Sequence, residues 1–475
     1  MEAVITQDPS FRNVLPPDFL WGVASASYQI EGGWNANGKG PSVYDHLWQH
    51  RENGEVACDS YHLWKEDVQL LKKYGVNCYR FSVSWPRVIP SGGAEDPVNE
   101  AGLAYYSNLI DALLEAGITP VVTIYHWDLP LPLFQKYGGF YDKDAMSRDF
   151  VRYARLLFET FGDRVKDWIT INEPHIIFSG ASHIFDGRWN PDTDIPRFTE
   201  SLLLCHAKVV KLYRNVFQPT QRGKIGITLD IDWVEPFDDS TEAKKMAEFT
   251  LESVCGLFAG PIFHGRFPQS VLEDYGDLTP KLTEDEWNIV RDSSDFFGLN
   301  HYGSSYATGR RHPPGEGTRM DLISGRAERV FERDGVPIGS RGVDGHPHDV
   351  PWGFRKLLQY IHTNYTVGRD IPIMITENGT SIEGEDLMSR AEAINDVKRQ
   401  TYYAGYLKEL IEAARDDGIL IGGYMAWSFL DNLEWTRGWR PRFGLTVVDR
   451  EDGCKRYPKD SAFMLGRIFR HAVKG

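Results

Sequence analysis

The chain has 475 residues, of which 41% are hydrophobic and 25% charged, so it contains enough apolar side chains for a large buried core. Its formal net charge of −15 disfavours nucleic acids and anionic membranes as partners, because both repel an acidic surface. The five cysteines are scattered without a C-x-x-C pair, and no histidines cluster around them. The sequence therefore predicts neither a disulfide framework nor a metal site, and no cofactor.

Residues 1–11 are polar and contain no apolar segment of signal-peptide length. No run of 18 apolar residues follows further along the chain. We therefore predict a cytoplasmic protein that does not cross a membrane.

Short apolar runs recur along the chain, and helix-like segments separate them. We predict strands at residues 19–28, 78–85, 120–127, 167–173, 224–233, 295–302, 372–378 and 422–429. Amphipathic segments lie between them at residues 61–74, 101–116, 147–161, 201–217 and 391–414. Eight strands that alternate with helices predict an α/β fold, a (β/α)8 TIM barrel. An open doubly wound sheet is the alternative, but it would more often carry a Gly-rich phosphate loop after the first strand.

No linker rich in Pro, Gly or Ser divides the chain. Residues 1–475 are therefore predicted to form a single catalytic domain, with residues 1–16 as an N-terminal extension. The extra length lies in long connections after strands one, four and six, at residues 31–60, 174–198 and 303–370. In a barrel of this kind, the loops after the strands build the active-site face.

Two of the predicted strands end in a glutamate. Glu173 lies in the peptide T-I-N-E-P at residues 170–174, and Glu377 lies in I-T-E-N-G at residues 375–379. A carboxylate at the end of an apolar strand needs either a partner or a function. Two of them are the minimum equipment for cleaving a glycosidic bond, since one protonates the departing oxygen and the other attacks or stabilises the sugar carbon.

The other strand ends carry polar and aromatic side chains. They are Gln29 and Glu31, Arg80 and Trp85, His126 and Trp127, Asn172, Trp233 and Glu235, Asn300 and Tyr302, Asn378 and Trp427, followed by Asp431, Asn432, Glu434 and Trp435. Taken singly, each has a structural explanation: His126 as a core histidine, Arg80 as a buried ion-pair partner, Trp427 as barrel filling. Together on one rim they fit a hexose, whose hydroxyls need hydrogen-bonding partners and whose C–H faces need an aromatic platform.

The ordered motifs resemble those of family 1 glycoside hydrolases, the retaining β-glucosidases, and are most similar to the intracellular fungal members. The resemblance extends from about residue 17 to residue 469. It rests on Y-Q-I-E-G at 28–32, Y-R-F-S at 79–82, Y-H-W-D-L-P at 125–130, N-E-P at 172–174, N-H-Y at 300–302, T-E-N-G at 376–379, A-W-S at 426–428, D-N-L-E-W at 431–435 and R-F-G-L at 442–445.

By this resemblance Glu377 is the nucleophile and Glu173 the acid/base of a double displacement that retains configuration. A cation near Glu377 would keep that carboxylate ionised. The pKa of Glu173 is expected to be raised by partial burial and by repulsion from Glu377. The resemblance implies Arg80 as support for the nucleophile, and as substrate-binding residues Gln29, His126, Asn172 (at the sugar 2-hydroxyl), Asn300, Tyr302, Trp427, Glu434, Trp435 and Phe443.

The implied substrate is a small β-glucoside or oligosaccharide, such as a cello-oligosaccharide released in cellulose degradation or an aryl or alkyl glucoside. Glu434 would repel a phosphate, which favours unphosphorylated sugars. Activity on galactosides or fucosides, transglycosylation and a homo-oligomer stay open. From another class, the alternative is a catalytically altered glycan-binding relative, which the presence of both glutamates disfavours. Departures from the family pattern, H-I-I-F-S-G-A-S-H at 175–183 and Leu257, Gly260 and Arg266, concern the aglycone side.

Overall fold

Eight parallel strands close into a barrel. The computed structural model describes residues 2–185, 187–313 and 316–475. The barrel strands are β1 (Leu20–Ala24), β2 (Cys78–Ser82), β3 (Thr119–Tyr125), β4 (Asp167–Asn172), β5 (Lys224–Asp230), β6 (Phe297–Asn300), β7 (Ile373–Asn378) and β8 (Ile421–Trp427). Because β1 pairs with both β2 and β8, the sheet has no open edge. This confirms the predicted (β/α)8 TIM barrel and excludes an open doubly wound sheet.

Helices cover the outside of the barrel. The longer ones are Ser60–Tyr74, Glu100–Glu115, Lys143–Phe161, Pro191–Leu212, Thr241–Leu251, Pro351–Ile361, Val397–Asp416 and Asp460–Ala472. Shorter ones include Ser27–Ile30, Val43–Leu47, Trp85–Val88, Leu131–Tyr137, Pro174–Ile184, Gln269–Tyr275, Glu284–Val290, Arg319–Ile323 and Arg390–Ile394. All five predicted segments are helical, but the fifth is divided at residues 395–396 into Arg390–Ile394 and Val397–Asp416. The fourth begins earlier than predicted, because Asn190 caps it through the Asp192 N–H and Pro191 fits its first turn.

The strands are shielded from solvent on both faces. Every residue of β2 and β7 is buried. The main apolar core lies between the strands and the helices, and a second cluster that includes Val121, Ile169 and Met425 fills the space inside the barrel. Burial on both faces explains why each strand appears in the sequence as a short continuous apolar run.

The connections after the strands contain secondary structure of their own. The predicted loop at residues 174–198 is largely helical, because Pro174–Ile184 follows β4 directly. The predicted fifth strand was too long: β5 ends at Asp230, and Trp233–Pro236 pairs instead with Ser304–Arg311 outside the barrel. Further short strands are Ala327–Val330, Glu332–Arg333, Val336–Pro337, Ser340–Arg341, His348–Asp349, Thr446–Asp449 and Lys455–Pro458.

The predicted N-terminal extension packs against the barrel. Ile5, Phe11 and Leu15 are buried in the main core, and Leu15 forms a β-bridge with Val473 beyond the last helix. The extension is therefore part of the packed structure rather than a free arm.

One helical run, Thr241–His264, is long and apolar enough to cross a membrane by length and composition. Of its most apolar window, 67% is buried inside the protein. Core helices pass the same test, so this burial identifies the run as part of the packed interior.

Candidate active site

The two strand-end glutamates lie in one cavity. Glu377 is the penultimate residue of β7, and Glu173 connects β4 to the helix Pro174–Ile184. Both are nearly buried, with exposed fractions of 3% and 5%. Glu173 has a left-handed backbone with φ 46°, a conformation that costs a non-glycine residue roughly 1–3 kcal/mol and is common at functional sites.

Glu377 is held by a cation and a phenol. Arg80 donates from Nη1 to Glu377 Oε1 at 2.7 Å, and the Tyr302 hydroxyl donates to Oε2 at 2.5 Å. The guanidinium of Arg80 is itself wholly buried and is oriented by Thr123, which accepts from its Nε at 3.1 Å. Both carboxylate oxygens of Glu377 are therefore fixed by charged or strong donors.

Asn172 connects the surroundings of the two glutamates. Its Oδ1 accepts from Arg80 Nη2 at 2.6 Å and from Asn300 Nδ2 at 3.1 Å. Asn300 Nδ2 also donates to Glu173 Oε1 at 2.5 Å. A continuous chain of hydrogen bonds thus extends from Glu377 to Glu173.

The imidazole of His126 completes this network. Because the oxygen of the Asn172 amide is fixed by two donors, its Nδ2 donates to His126 Nε2 at 3.1 Å. Burial and the charge of Arg80 lower the pKa of His126 well below its ordinary value. His126 is therefore neutral and carries its proton on Nδ1.

The two carboxyl groups have different pKa values. Burial raises the pKa of Glu173 well above its ordinary value, and the carboxylates of Asp230 and Glu377 raise it further. Burial also raises the pKa of Glu377, but Arg80 and Tyr302 oppose this by stabilising the charged form. Over an intermediate pH range the pair therefore holds its proton on Glu173 and its negative charge on Glu377.

Asp230 is a third carboxylate next to the pair. It ends β5 and lines the same cavity as the two glutamates. Burial raises the pKa of Asp230 well above its ordinary value, with Asp232 and Glu377 adding to the shift. Asp230 is not among the predicted site residues, because the predicted strand extends past it to Trp233.

The cavity opens at the carboxyl ends of the strands and has a volume of about 510 Å³. Predicted binding residues that line it are His126, Tyr302, Trp427, Glu434, Trp435 and Phe443. The remaining predicted residues, Gln29, Arg80, Asn172 and Asn300, are fully buried and are joined to one another or to the lining segments by hydrogen bonds. A volume of this size suits a small organic ligand.

The inner part of the cavity has aromatic walls. The ring of His126 lies nearly parallel to those of Trp427 and Trp435, with centroids 6.1 and 6.0 Å away. Phe443 meets the edge of Tyr302 at a centroid distance of 5.9 Å. These rings present flat apolar surfaces beside the carboxyl groups.

Three buried polar atoms in this region have no protein partner within the described part of the chain. They are Gln29 Oε1, His126 Nδ1 and Glu434 Oε2. The Gln29 amide is fixed from its other end, because Nε2 donates to Asn432 Oδ1 and to the Leu433 carbonyl, each at 2.9 Å. Buried polar atoms are normally paired, so unpaired ones near a cavity indicate a ligand with hydroxyl groups.

The outer part of the cavity comes from segments without recognisable motifs. Ile176 belongs to the helix after Glu173, whereas Met320, Arg329 and His346 come from the long connection after β6. Burial lowers the pKa of His346 to about 4, so this side chain is neutral. The predicted role of residues 303–370 in the active-site face agrees with this arrangement.

Several other strand-end residues lie outside the site. Glu31 is bound by Arg87 and the Tyr106 hydroxyl, and Trp85 is stacked on a core tyrosine. Trp233 and Glu235 belong to the outer sheet, where Glu235 pairs with a lysine. These four residues were predicted to lie on the rim of the site. They have structural partners elsewhere, so this prediction is wrong for them. Among the described residues, no group of three or more His, Cys, Asp or Glu side chains has a metal-binding arrangement.

Comparisons with known proteins show the family of the chain. The family model described as glycosyl hydrolase family 1 matches residues 11–472. The chain is 44% identical to β-glucosidase 1B of Phanerodontia chrysosporium, over 96% of this chain and 86% of that protein. It is similar to the structure of a family 1 β-glucosidase from Humicola insolens in complex with glucose, with 39% identity, a TM-score of 0.91 and coverage of 97% and 99%.

The structure of a Trichoderma harzianum β-glucosidase matches equally well, with 39% identity, a TM-score of 0.91 and coverage of 97% of this chain and 98% of that one. The family resemblance inferred from the motifs is thereby confirmed. This chain belongs to glycosyl hydrolase family 1.

Proposed function

We propose that this protein is a retaining β-glucosidase that releases terminal, non-reducing β-D-glucosyl residues from cello-oligosaccharides or from aryl and alkyl glucosides. The observation that carries the proposal is the unequal carboxyl pair in one cavity. Glu377 contacts a buried guanidinium, whereas Glu173 is next to further carboxylates. The names of the similar proteins, β-glucosidases of fungi and plants, support the same substrate class.

In the first step Glu377 attacks the anomeric carbon and forms a glycosyl ester, while the C–O bond to the leaving group breaks. Glu173 gives its proton to the departing oxygen, which leaves as an alcohol. Arg80 and Tyr302 keep Glu377 ionised and oriented before the attack. The raised pKa of Glu173 keeps the required proton in place at the start of the cycle.

In the second step Glu173, now a carboxylate, takes a proton from water as the water attacks the same carbon. The ester bond to Glu377 breaks, and β-glucose leaves with Glu377 ionised and Glu173 protonated again. Neutralisation of Glu377 in the ester removes one of the charges that raise the pKa of Glu173. The pKa of Glu173 is therefore lower in the glycosyl-enzyme, which favours the ionised carboxylate that acts as the base.

The inner part of the cavity binds the glucosyl ring. Trp427 and Trp435 offer flat surfaces to its C–H faces, and the unpaired His126 Nδ1–H and Glu434 Oε2 meet its hydroxyls. The Asn172 amide has one N–H left for the 2-hydroxyl. A phosphorylated sugar would bring its charge towards Glu434, so unphosphorylated glucosides are favoured.

The proposal is tested by proton NMR during hydrolysis of p-nitrophenyl β-D-glucoside. A retaining enzyme releases β-glucose first, and α-glucose appears only later by mutarotation. Early α-glucose would mean an inverting mechanism and would refute the assignment of Glu377. Absence of turnover, together with measurable glucose binding, would favour a glycan-binding protein instead.

We expect Asp230→Asn to move the alkaline limb of the pH–rate profile to lower pH. The substitution removes a negative charge that raises the pKa of Glu173. Glu173 then loses its proton at lower pH, and activity falls earlier as the pH rises. The measurement is kcat/KM of p-nitrophenyl β-D-glucoside across the pH range.

Asp232→Asn is the matched control for this experiment. Its side chain accepts from the backbone N–H of Tyr302 and of Gly303, and an asparagine oxygen can keep both bonds. We expect a smaller shift than for Asp230→Asn. An unchanged alkaline limb in Asp230→Asn would show that Asp230 does not influence Glu173.

Glu434→Ala is expected to lower kcat/KM for the glucoside by about 10- to 100-fold, the usual effect of losing hydrogen bonds between a charged group and a ligand. Burial raises the pKa of Glu434 to about 7, with Arg437 opposing the shift. Comparing glucoside, galactoside and fucoside measures how much discrimination at the sugar depends on this residue. Equal rates in variant and native enzyme would remove Glu434 from the binding set.

Transglycosylation uses the same intermediate, with a sugar or alcohol in place of water. The outer part of the cavity provides the space for such an acceptor, next to Ile176 and Met320. Chromatography of the products at high cellobiose concentration measures the ratio of trisaccharide to glucose. A ratio of zero at all concentrations would limit the activity to hydrolysis.

A further inference from the structure

Five charged side chains form a cluster behind the end of β8. The buried charge cluster consists of Glu385, Asp396, Arg399, Asp431 and Lys459. The side chains of the two cations are 0% exposed, and none of the three carboxylates exceeds 9%. None of the five lines the catalytic cavity.

The cluster connects four separate segments of the chain. Arg399, in the first turn of Val397–Asp416, donates to both oxygens of Glu385 at 3.0 and 2.5 Å. Lys459, just before the last helix, donates to Glu385 Oε1 at 2.6 Å and to Asp431 Oδ1 at 2.9 Å. Glu385 follows β7 and Asp431 follows β8. The connections that extend from the two strands are therefore joined through buried ions.

The bonds that leave the cluster hold the backbone on both sides of Phe443. Arg399 Nη2 donates to the Arg442 carbonyl at 2.7 Å, and the Gly444 N–H donates to Asp431 Oδ1 at 2.9 Å. A Cβ at Gly444 would lie only 2.0 Å from the Asp431 nitrogen, so the two segments touch at this point.

Asp431 also precedes the segment that carries Glu434 and Trp435 towards the cavity. Its carbonyl accepts from the thiol of Cys58 at 3.2 Å, and its N–H donates to the Thr446 carbonyl at 2.8 Å. The next residue, Asn432, accepts from Gln29. We call residues 432–435 together with Phe443 the glycone wall, a name that rests on the proposed function.

Stability alone is a weak reason for such a cluster. Removing five charges from water is expensive, and well-packed apolar residues often stabilise a protein as well as a buried ion network does. Burial would raise the pKa of Glu385, but Arg399 and Lys459 outweigh it and lower that pKa to about 2, so Glu385 stays ionised. Directional bonds to ions fix the position of a backbone, which apolar contacts do less specifically.

We propose that the buried charge cluster is a positioning element for sugar binding, which sets the glycone wall at the distance that the glucosyl ring requires. Its members act through Phe443, Glu434 and Trp435 and touch no reacting atom. Loss of the cluster should therefore weaken substrate binding while the chemistry at Glu173 and Glu377 continues.

The test compares Asp431→Ala with the conservative Asp431→Asn, using p-nitrophenyl β-D-glucoside. Alanine removes the acceptor of the Gly444 N–H, and we expect KM to rise about tenfold or more with kcat changed less than about threefold. Asparagine keeps an oxygen at this position, so we expect most of the native KM to return. The limbs of the pH–rate profile should stay in place, because the carboxyl pair is unchanged.

Asp67→Asn is a control for general loss of stability. Asp67 forms a similarly buried ion pair with Arg456, at 2.8 Å, which has no bond to the glycone wall. We expect a lower melting temperature with native KM. Melting curves and titration of active sites with an inactivating 2-fluoroglucoside give the folded, competent fraction of each variant.

An Asp431→Ala protein that is folded and has native KM would overturn the inference. So would a loss confined to kcat, or a failure of Asp431→Asn to restore KM. If Asp431→Ala does not fold, Lys459→Met supplies the same comparison, since it removes the ion that holds Asp431. A native enzyme without glucosidase activity would instead refute the proposed function.

Discussion

Replacing Glu377 by alanine is expected to lower kcat on p-nitrophenyl β-D-glucoside by roughly 10⁵-fold or more, because no other group can form the glycosyl ester. Glu377 is the only one of the two glutamates that contacts Arg80. Its removal also leaves Tyr302 without the acceptor of its hydroxyl proton. Binding of glucose should persist, because the aromatic walls are not affected. Stopped assays with a long incubation measure the residual rate.

Azide distinguishes a missing nucleophile from a damaged site. The alanine leaves space on the side of the sugar from which Glu377 attacks, and Glu173 can still protonate the leaving group. Azide entering this space forms a bond to the anomeric carbon as the glycosidic bond breaks, which gives α-glucosyl azide. We therefore expect partial recovery of the rate and this product by NMR.

Glu235→Ala is the control for Glu377→Ala. Glu235 follows β5 in the chain, but it lies in the outer strand Trp233–Pro236 and forms an ion pair with Lys356 of the helix Pro351–Ile361. Its loss should leave kcat near the native value. Retention of activity in Glu377→Ala within about tenfold, or formation of β-glucosyl azide, would contradict the assignment of the nucleophile.

The barrel could be predicted because its physical signature is local. Each strand is buried on both faces and therefore appears as a short, mostly apolar run of four to seven residues, as in Thr119–Tyr125. The residues at which the strands end depend instead on contacts with distant parts of the chain. The run at residues 224–233 contains two strands, because Trp233 finds its partner at Ser304, in a different sheet. No sequence pattern near residue 230 predicts that the chain leaves the barrel sheet and pairs with a different one.

The site likewise contains residues that local motifs identify and residues that only the folded structure identifies. The two glutamates and Arg80 lie in recognisable motifs, and the structure brings them together. Asp230 and Arg329 belong to no motif: Asp230 ends the barrel strand β5, and Arg329 reaches the same cavity from the long connection after β6. Gln29, which is predicted to bind the sugar, is fully buried; its amide nitrogen donates to Asn432, and its Oε1 has no protein partner among the described residues.

The cytoplasmic location, the single domain and the homo-oligomer stay predictions. They depend on targeting, on independent folding and on a second copy of the chain. None of these is a property of the contacts within one chain.

The expected effect of Glu173→Gln depends on the leaving group. A general acid contributes about 10²- to 10⁴-fold, so kcat/KM on cellobiose should fall by about that factor. For a substrate whose leaving group needs no proton, such as a 2,4-dinitrophenyl glucoside, the rate of the first step should fall much less. Glutamine keeps an oxygen to accept from Asn300, which preserves the geometry of the hydrogen-bonded chain. Rates on a series of aryl glucosides of different phenol pKa measure this dependence.

The pH profile of the same variant gives an independent result. In the native enzyme activity falls as the pH rises through the pKa of Glu173, which burial raises well above its ordinary value. Glutamine does not titrate, so the alkaline limb should disappear for the dinitrophenyl substrate. The acid limb, which reports protonation of Glu377, should remain. An alkaline limb that persists unchanged would mean that another group carries the proton.

The anomer that azide forms in Glu173→Ala shows on which face of the sugar ring Glu173 lies. In Glu173→Ala the glycosyl ester on Glu377 still forms from an activated substrate, but no base activates water. Azide needs no base, so it should attack the ester from the side that Glu173 vacates and give β-glucosyl azide. This product has the opposite configuration to the one expected from Glu377→Ala. Two variants that give the same anomer would contradict the assignment of the carboxyl groups to opposite faces, whatever their rates.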